Sequence, residues 1–177
     1  MIREAPRIET DRLVLRPWRR GDFRPYHAIL REPAVFRHFG PKPMGQEECW
    51  RRMAASSGMW GMVGFGGWAA ERKSDGMLVG SLSLFNGWRE LKPEFGDEPE
   101  MGWIFSTEVH GQGLAGEACR AALNWAEATL EATPIWAIIA PENAPSIRLA
   151  ERLGFEPIGD TLYNGDPTLV LRRTAWT

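Results

Sequence analysis

Two spacings of apolar residues divide the chain into strands and helices. Across residues 10–18, Leu13 and Leu15 share one face, while Arg12, Val14 and Arg16 share the other. That is the period of a strand, and Pro17 ends it because proline cannot donate to a ladder. Asp22 and Pro25 suit a helix start, and Phe23, Tyr26 and Leu30 give an apolar face up to Arg31. Pro33 is expected to close that helix. A loop at 40–45 leads to a second helix over about 46–56, with Glu47 and Glu48 in its first turn. In the next stretch, 58–67, five glycines interleave with Met59, Trp60, Met62, Val63 and Phe65. It reads either as a loop leading into a strand or as a pliable wall beside a substrate.

Residues 68–72 and 78–85 predict a β-hairpin, with its turn signal at Asp75-Gly76. A polar, proline-bearing connection follows at 86–99, with acidic residues at Glu94, Asp97 and Glu98. From Glu100, Met101, Trp103 and Phe105 alternate with Gly102, Ile104 and Ser106, a period-two strand. Gly111, Gly113 and Gly116 come next, and Leu114, Ala118, Ala121, Ala122 and Trp125 then fall at helical spacing. Residues 135–140 are almost all apolar, as in a strand buried on both faces. A helix over 143–153 stops at Gly154. Two closing strands, 155–162 and 168–172, flank a turn at Asn164-Gly165. Only one strand–helix–strand unit is long enough for a crossover, so one parallel, right-handed pair is expected among antiparallel hairpins.

Composition narrows the function classes. A chain of 177 residues predicts a single domain, 1–177, able to bury roughly 70% of its unfolded surface. A net charge of −2 leaves no electrostatic footprint for nucleic acid. Cys49 and Cys119 are scattered and read as two free buried thiols. No metal is expected: the cysteines lack ligand spacing, and His27 and His38 have no partner ligand and read as structural or surface residues. No apolar run is long enough to span a bilayer and no basic-then-apolar leader is visible, so no membrane partner and a cytoplasmic location are expected.

The chemistry is carried by the glycine turn. A turn that opens a helix exposes backbone N–H groups without intrahelical partners, and these with the helix dipole favour an anion. The pyrophosphate of a cofactor is the expected occupant. Gly111-x-Gly113-x-x-Gly116 also matches the dinucleotide-binding fingerprint, with Glu142 near the end of the following strand. The architecture excludes that reading, because a dinucleotide fold needs successive βαβ units and antiparallel strands precede this turn. A purely structural turn remains the alternative.

The run His110-Gly-Gln-Gly-Leu-Ala resembles the acetyl-CoA pyrophosphate loop of the GNAT N-acetyltransferase superfamily, Gln/Arg-x-x-Gly-x-Gly/Ala. Gly113 and Ala115 match; His110 departs from the usual Gln or Arg; Glu117 matches an acid often found in the following helix. Residues 143–155, from Asn143 to Leu153-Gly154-Phe155, resemble the family's Asn…Leu-Gly-Phe segment. The run Thr10-Asp-Arg-Leu-Val-Leu-Arg16-Pro-Trp18 resembles the opening of the ribosomal-protein N-acetyltransferase branch. The three motifs occur in family order and cover about residues 8–172. The resemblance implies an α/β fold (α+β by strand mix), GNAT-like. It consists of a mixed, mostly antiparallel sheet of about six to seven strands, about four flanking helices and one parallel β-α-β crossover.

It further implies transfer of an acetyl group from acetyl-CoA to a primary amine. The cofactor-binding residues carried over are Ile104, Phe105, His110, Gly111, Gln112, Gly113, Leu114, Ala115, Gly116, Asn143 and Ser146. A backbone N–H near Ile104 or Phe105 would hold the thioester carbonyl, and Asn143 the pantetheine amide or the adjacent backbone. Glu100, at the start of the central strand, is the candidate base, against the alternative of an exposed edge carboxylate; Glu98 is second choice. Ala150 stands where many relatives carry a tyrosine acid, so Ser146 either serves the leaving sulfur or only caps its helix, with Tyr163 as an outside alternative. An α-amine of pKa about 8 is roughly a tenth neutral at pH 7, and a lysine amine only about 1 in 2500. The N-terminal motif favours a peptide or protein N-terminal α-amine. A small-molecule amine (polyamine, amino acid or antibiotic) and a non-catalytic acyl-CoA-binding module are the alternatives. Monomer and homodimer are both compatible with the branch.

Overall fold

The computed structural model describes residues 4–174; both ends of the 1–177 single-domain reading lie outside them. The chain clusters as two compact units, Met1–Phe85 with Trp103–Ala122, and Asn86–Gly102 with Leu123–Thr177. Its eight described strands belong to a mixed sheet with one parallel pair, β5 with β6. The boundary between the units falls inside β5 (Glu100–Phe105) and inside α4 (Leu114–Thr129).

In the first unit the strand order is β1-β2-β3-β4-β5. β1 (Ile8–Glu9) pairs antiparallel with β2 (Leu13–Arg16), which pairs with β3 (Gly67–Arg72), which pairs with β4 (Leu78–Phe85). β1 is two residues long, too short to show a period, and it raises the strand number above the expected six to seven. All four residues of β2 are buried, Arg16 included. Its guanidinium donates to both Asp22 oxygens at 2.8 and 2.9 Å and from Nε to Glu71 at 2.6 Å. Asp22 foremost keeps Arg16 protonated, and this network fixes the entry to the first helix.

That helix is shorter than expected. A 3-10 turn at Arg20–Asp22 precedes α1 (Phe23–Ile29), and Pro33 opens α2 (Pro33–Phe36) rather than closing α1. Proline at the first helical position removes only an N–H that has no helical partner. Tyr26, Ile29 and Leu30 pack with Val35, Met44, Cys49, Met53, Ala69, Leu78 and Ile104 in the core of this unit.

The glycine-rich stretch 58–63 is helical. α3 runs Gln46–Val63 and ends at Gly64, whose φ of +82° is the left-handed cap. Burial overrides glycine's poor propensity here. Met53 and Trp60 lie seven residues apart on one buried face, and Trp60 Nε1 donates to the Gly67 carbonyl at 3.0 Å. A Cβ at Gly67 would lie 1.8 Å from Ser56 Oγ and 2.4 Å from Ser83 Oγ, so both hydroxyls would have to move for any side chain there.

In the second unit the order is β5-β6-β8-β7. Glu100 is in parallel register with Trp136 of β6 (Ile135–Ile139), and the Trp136 N–H donates to Pro99 at 2.9 Å. β6 pairs antiparallel with β8 (Asp166–Arg173), and β8 with β7 (Glu156–Tyr163). Asn164 and Gly165 join β7 to β8 with φ of +53° and +85°, the type I′ geometry their sequence signals. α5 (Ala144–Arg152) is followed by Gly154 at φ +86°. Cys49 and Cys119 are free and buried, and burial raises both thiols, Cys49 to about 11.

Candidate active site

The residues singled out from sequence fall into two groups, one in each unit. In the first unit, β5 ends at Phe105 and a 3-10 turn, Thr107–Val109, leads to His110. The entry is pinned from two sides. Ser106 N–H donates to Val79 of β4 at 2.9 Å, and the Glu32 carboxylate accepts from Ser106 Oγ, Thr107 N and Thr107 Oγ1 at 2.8, 2.6 and 2.5 Å. Burial opposes ionisation of Glu32, but these donors outweigh it and hold its pKa below the usual carboxylate range.

The turn itself carries two left-handed glycines, Gly111 at φ +74° and Gly113 at φ +76°. The His110 N–H donates to Thr107, Gln112 N–H weakly to Val109, and Glu117 N–H to Gly113. The N–H groups of Gly111, Gly113, Leu114, Ala115 and Gly116 find no backbone acceptor among the described residues. For Leu114, Ala115 and Gly116 this is the ordinary state of a helix first turn; together with the two glycine amides they form a set of open donors at the positive end of α4. The donor set fits an anion with several oxygens, such as a diphosphate. His110 turns the other way, Nε2–H donating to the Phe105 carbonyl at 2.9 Å. Ile104 and Phe105 are buried, Ile104 in the core.

Two motif residues outside the expected cofactor-binding set, Glu117 and Arg12, hold this turn. Glu117, in the first turn of α4, accepts from Thr10 Oγ1 (2.6 Å), Arg12 N (2.8 Å) and Arg12 Nε (2.7 Å). Burial opposes its ionisation, but these donors lower its pKa overall. Arg12 Nη1 also donates to the Gln112 carbonyl at 2.8 Å. The motif around Thr10–Trp18 and the glycine turn thus meet in space, although Arg12 and Glu117 stand 105 positions apart.

In the second unit Glu100 is buried, 3% exposed, and its two oxygens accept from Arg89 Nε at 2.6 Å and Nη2 at 2.9 Å. Arg89 lies in the 86–99 connection, its guanidinium over the Tyr163 ring at 4.7 Å. Burial works against the Arg89 charge, yet Glu100 raises its pKa on balance. Glu100 is therefore a buried, paired carboxylate rather than an exposed edge group. Glu98 accepts from Trp136 Nε1 at 2.5 Å, and Glu94 pairs with Lys92. A cavity of about 380 Å³ lies in the connection, lined by Trp88, Arg89, Leu91 and Phe95 among others. Trp88 is 70% exposed. Asn143 caps α5, its Oδ1 accepting from Ser146 N at 3.4 Å. The cap is thus Asn143; Ser146 supplies the capped N–H, and its half-buried hydroxyl makes no hydrogen bond among the described residues.

Known proteins resemble this chain over most of its length. The model of the acetyltransferase (GNAT) domain family matches residues 12–156. A Bordetella pertussis protein described as a GnaT-family acetyltransferase is 31% identical, with a TM-score of 0.84 over 96% of this chain and 99% of its own. An acetyltransferase from Agrobacterium tumefaciens str. C58 is 26% identical, TM-score 0.81, over 97% and 95% of the two chains. The fold is also that of the spermidine N-acetyltransferase of Vibrio cholerae solved with CoA and spermine, at 22% identity, TM-score 0.68 and coverage of 92% and 94%. Among curated proteins, YkkB of Bacillus subtilis (strain 168) is 32% identical over 87 residues, so the match spans about half of each chain.

Proposed function

The chain belongs to the GNAT acetyltransferase family, and on that premise we propose that the 110–116 turn binds the diphosphate of acetyl-CoA and that the acetyl group passes to a primary amine. The observation that carries this reading is the set of open amides at Gly111, Gly113, Leu114, Ala115 and Gly116. The single-domain reading is supported by a family match that runs through both compact units.

The transfer is direct attack of a neutral amine on the thioester carbonyl, with a backbone N–H of β5 at Ile104 or Phe105 as oxyanion donor. Asn143 serves the pantetheine arm and Ser146 offers its hydroxyl to the leaving sulfur. Glu100 is the carboxylate that receives the amine proton. Both of its oxygens already accept from Arg89, and protonation would weaken that charged pairing. That makes it a reluctant base, and the acceptor chemistry follows. A lysine-type or polyamine amine is roughly 250-fold scarcer in its neutral form at pH 7 than an α-amine. A site whose carboxylate is already engaged suits the acceptor that needs least help, a peptide or protein N-terminal α-amine. The motif at Thr10–Trp18 supports the same acceptor class.

Thiol release from acetyl-CoA, followed across N-terminal peptides, polyamines, amino acids and aminoglycosides, tests this reading. The highest kcat/KM is expected with a peptide α-amine. A clear preference for spermidine or a lysine side chain contradicts the acceptor assignment. Tight CoA binding without thiol release on any acceptor supports instead a non-catalytic acyl-CoA-binding module.

A further inference from the structure

The clamp between Arg12, Gln112 and Glu117 has a geometric consequence for the diphosphate turn. In a trans peptide the C=O and the following N–H point in opposite directions. Whatever fixes the Gln112 carbonyl therefore also aims the Gly113 N–H. Arg12 Nη1 donates to that carbonyl at 2.8 Å. The opposite end of the same peptide plane, the Gly113 N–H, is one of the open donors. With left-handed glycines on both sides of Gln112, the 112–113 peptide has little intrinsic resistance to flipping. A flipped peptide would present a carbonyl oxygen to the anion.

The clamp is well built for this task. Arg12 is itself held by Glu117, with Nε and Nη2 both 2.7 Å from Oε2. The other oxygen of Glu117 accepts from the Arg12 N–H at 2.8 Å and from Thr10 Oγ1 at 2.6 Å. The Arg12 carbonyl accepts from Lys73 N at 2.9 Å, which ties the segment to the end of β3. Arg12 thus reaches the turn from a fixed backbone through a planar fork, a geometry one lysine nitrogen cannot reproduce. Glu117 lies in the first turn of α4, where its charge would repel a diphosphate; Arg12 neutralises it.

We propose that Arg12 is a positioning residue for cofactor binding: by holding the Gln112 carbonyl it directs the Gly113 amide at the diphosphate of CoA. The proposal rests on the reading of the turn as the diphosphate site. It is tested with Arg12→Met, Arg12→Lys and Glu117→Gln, using calorimetric binding of CoA and 3′-dephospho-CoA and turnover with acetyl-CoA. Turnover of S-acetyl-N-acetylcysteamine, a thioester without phosphate, is the control. Loss of one oriented amide–phosphate bond predicts about a tenfold rise in Kd and KM for CoA in both Arg12 variants. Dephospho-CoA is expected to weaken by the same factor, with kcat at saturation and turnover of the phosphate-free thioester unchanged. Glu117→Gln keeps the side-chain shape and removes a charge that repels the diphosphate, so a loss of CoA affinity in it reports the freeing of Arg12; that selective loss is expected at smaller size, and it decides the matter if the Arg12 variants do not fold. Wild-type CoA affinity in folded Arg12→Met overturns the proposal, as does full rescue by Arg12→Lys, which would make bare charge sufficient. A wild-type protein that binds no CoA overturns the diphosphate reading itself, and the clamp with it.

Discussion

Replacing Gly113 with valine separates the two roles of the glycine turn, its conformation and its amides. Gly113 has φ of +76°, and a Cβ built there meets only Arg12 Nη2 at 3.6 Å, an ordinary contact. The cost of a side chain is therefore conformational. Holding an L-residue in the left-handed region costs about 1–2 kcal/mol, somewhat more for a β-branched one. For a domain of this size that is a Tm loss of about 2–8 °C. The backbone can relieve the strain only by rotating toward negative φ, which swings the Gly113 and Leu114 amides away from a common target. A charge-assisted hydrogen bond is worth about 1.5–3 kcal/mol, so losing one weakens CoA binding by about tenfold or more. Gly165→Val is the matched control: its φ is +85°, a Cβ there meets nothing within 4 Å, and it sits in the β7–β8 turn. The two variants are expected to lose similar stability by thermal melting, whereas only Gly113→Val loses CoA affinity by calorimetry. Equal CoA affinity in the two variants would refute the assignment of the diphosphate to this turn.

Three further outcomes are expected. Arg16→Met leaves Asp22 buried without its guanidinium, which should cost about 3–5 kcal/mol in urea unfolding; a loss below about 1 kcal/mol contradicts the network's role. Glu32, whose folded pKa is lowered, binds fewer protons folded than unfolded, so its contribution is complete above about pH 4.3 and is lost as pH falls through its folded value. Glu32→Gln should therefore be less stable than wild type at pH 7, with the gap narrowing in acid; a gap that widens below pH 4 runs against this. Glu100→Gln should lower the acylation rate and move its pH dependence upward while CoA affinity changes little; a wild-type pH–rate profile in the variant removes Glu100 as the base.

Much of the fold was legible because its signals are local. Period-two runs and the Asp75-Gly76 and Asn164-Gly165 signals placed both hairpins, with Gly76 and Gly165 at positive φ as those turns require. The one long crossover correctly placed the parallel pair. What sequence missed was decided by tertiary packing. Glycines at 58 and 61 suggested a loop, but burial of Met53 and Trp60 carries α3 through them. Pro33 read as a stop and is a start, because the chain turns before it rather than at it. In the site, the glycines and Asn143 were visible as motif residues. The roles of Arg12 and Arg89 were not, since each acts through a partner that spacing cannot reveal: Glu117 lies 105 positions from Arg12, and Arg89 sits in a connection without periodicity.

The central claim is that open amides at the start of α4 hold the diphosphate of CoA. A crystal structure of the protein with CoA tests it most directly. The account predicts diphosphate oxygens about 2.7–3.2 Å from backbone nitrogens among Gly111, Gly113, Leu114, Ala115 and Gly116, with Arg12 still on the Gln112 carbonyl. A diphosphate bound away from these nitrogens, or a turn that closes its amides on internal acceptors, would contradict it.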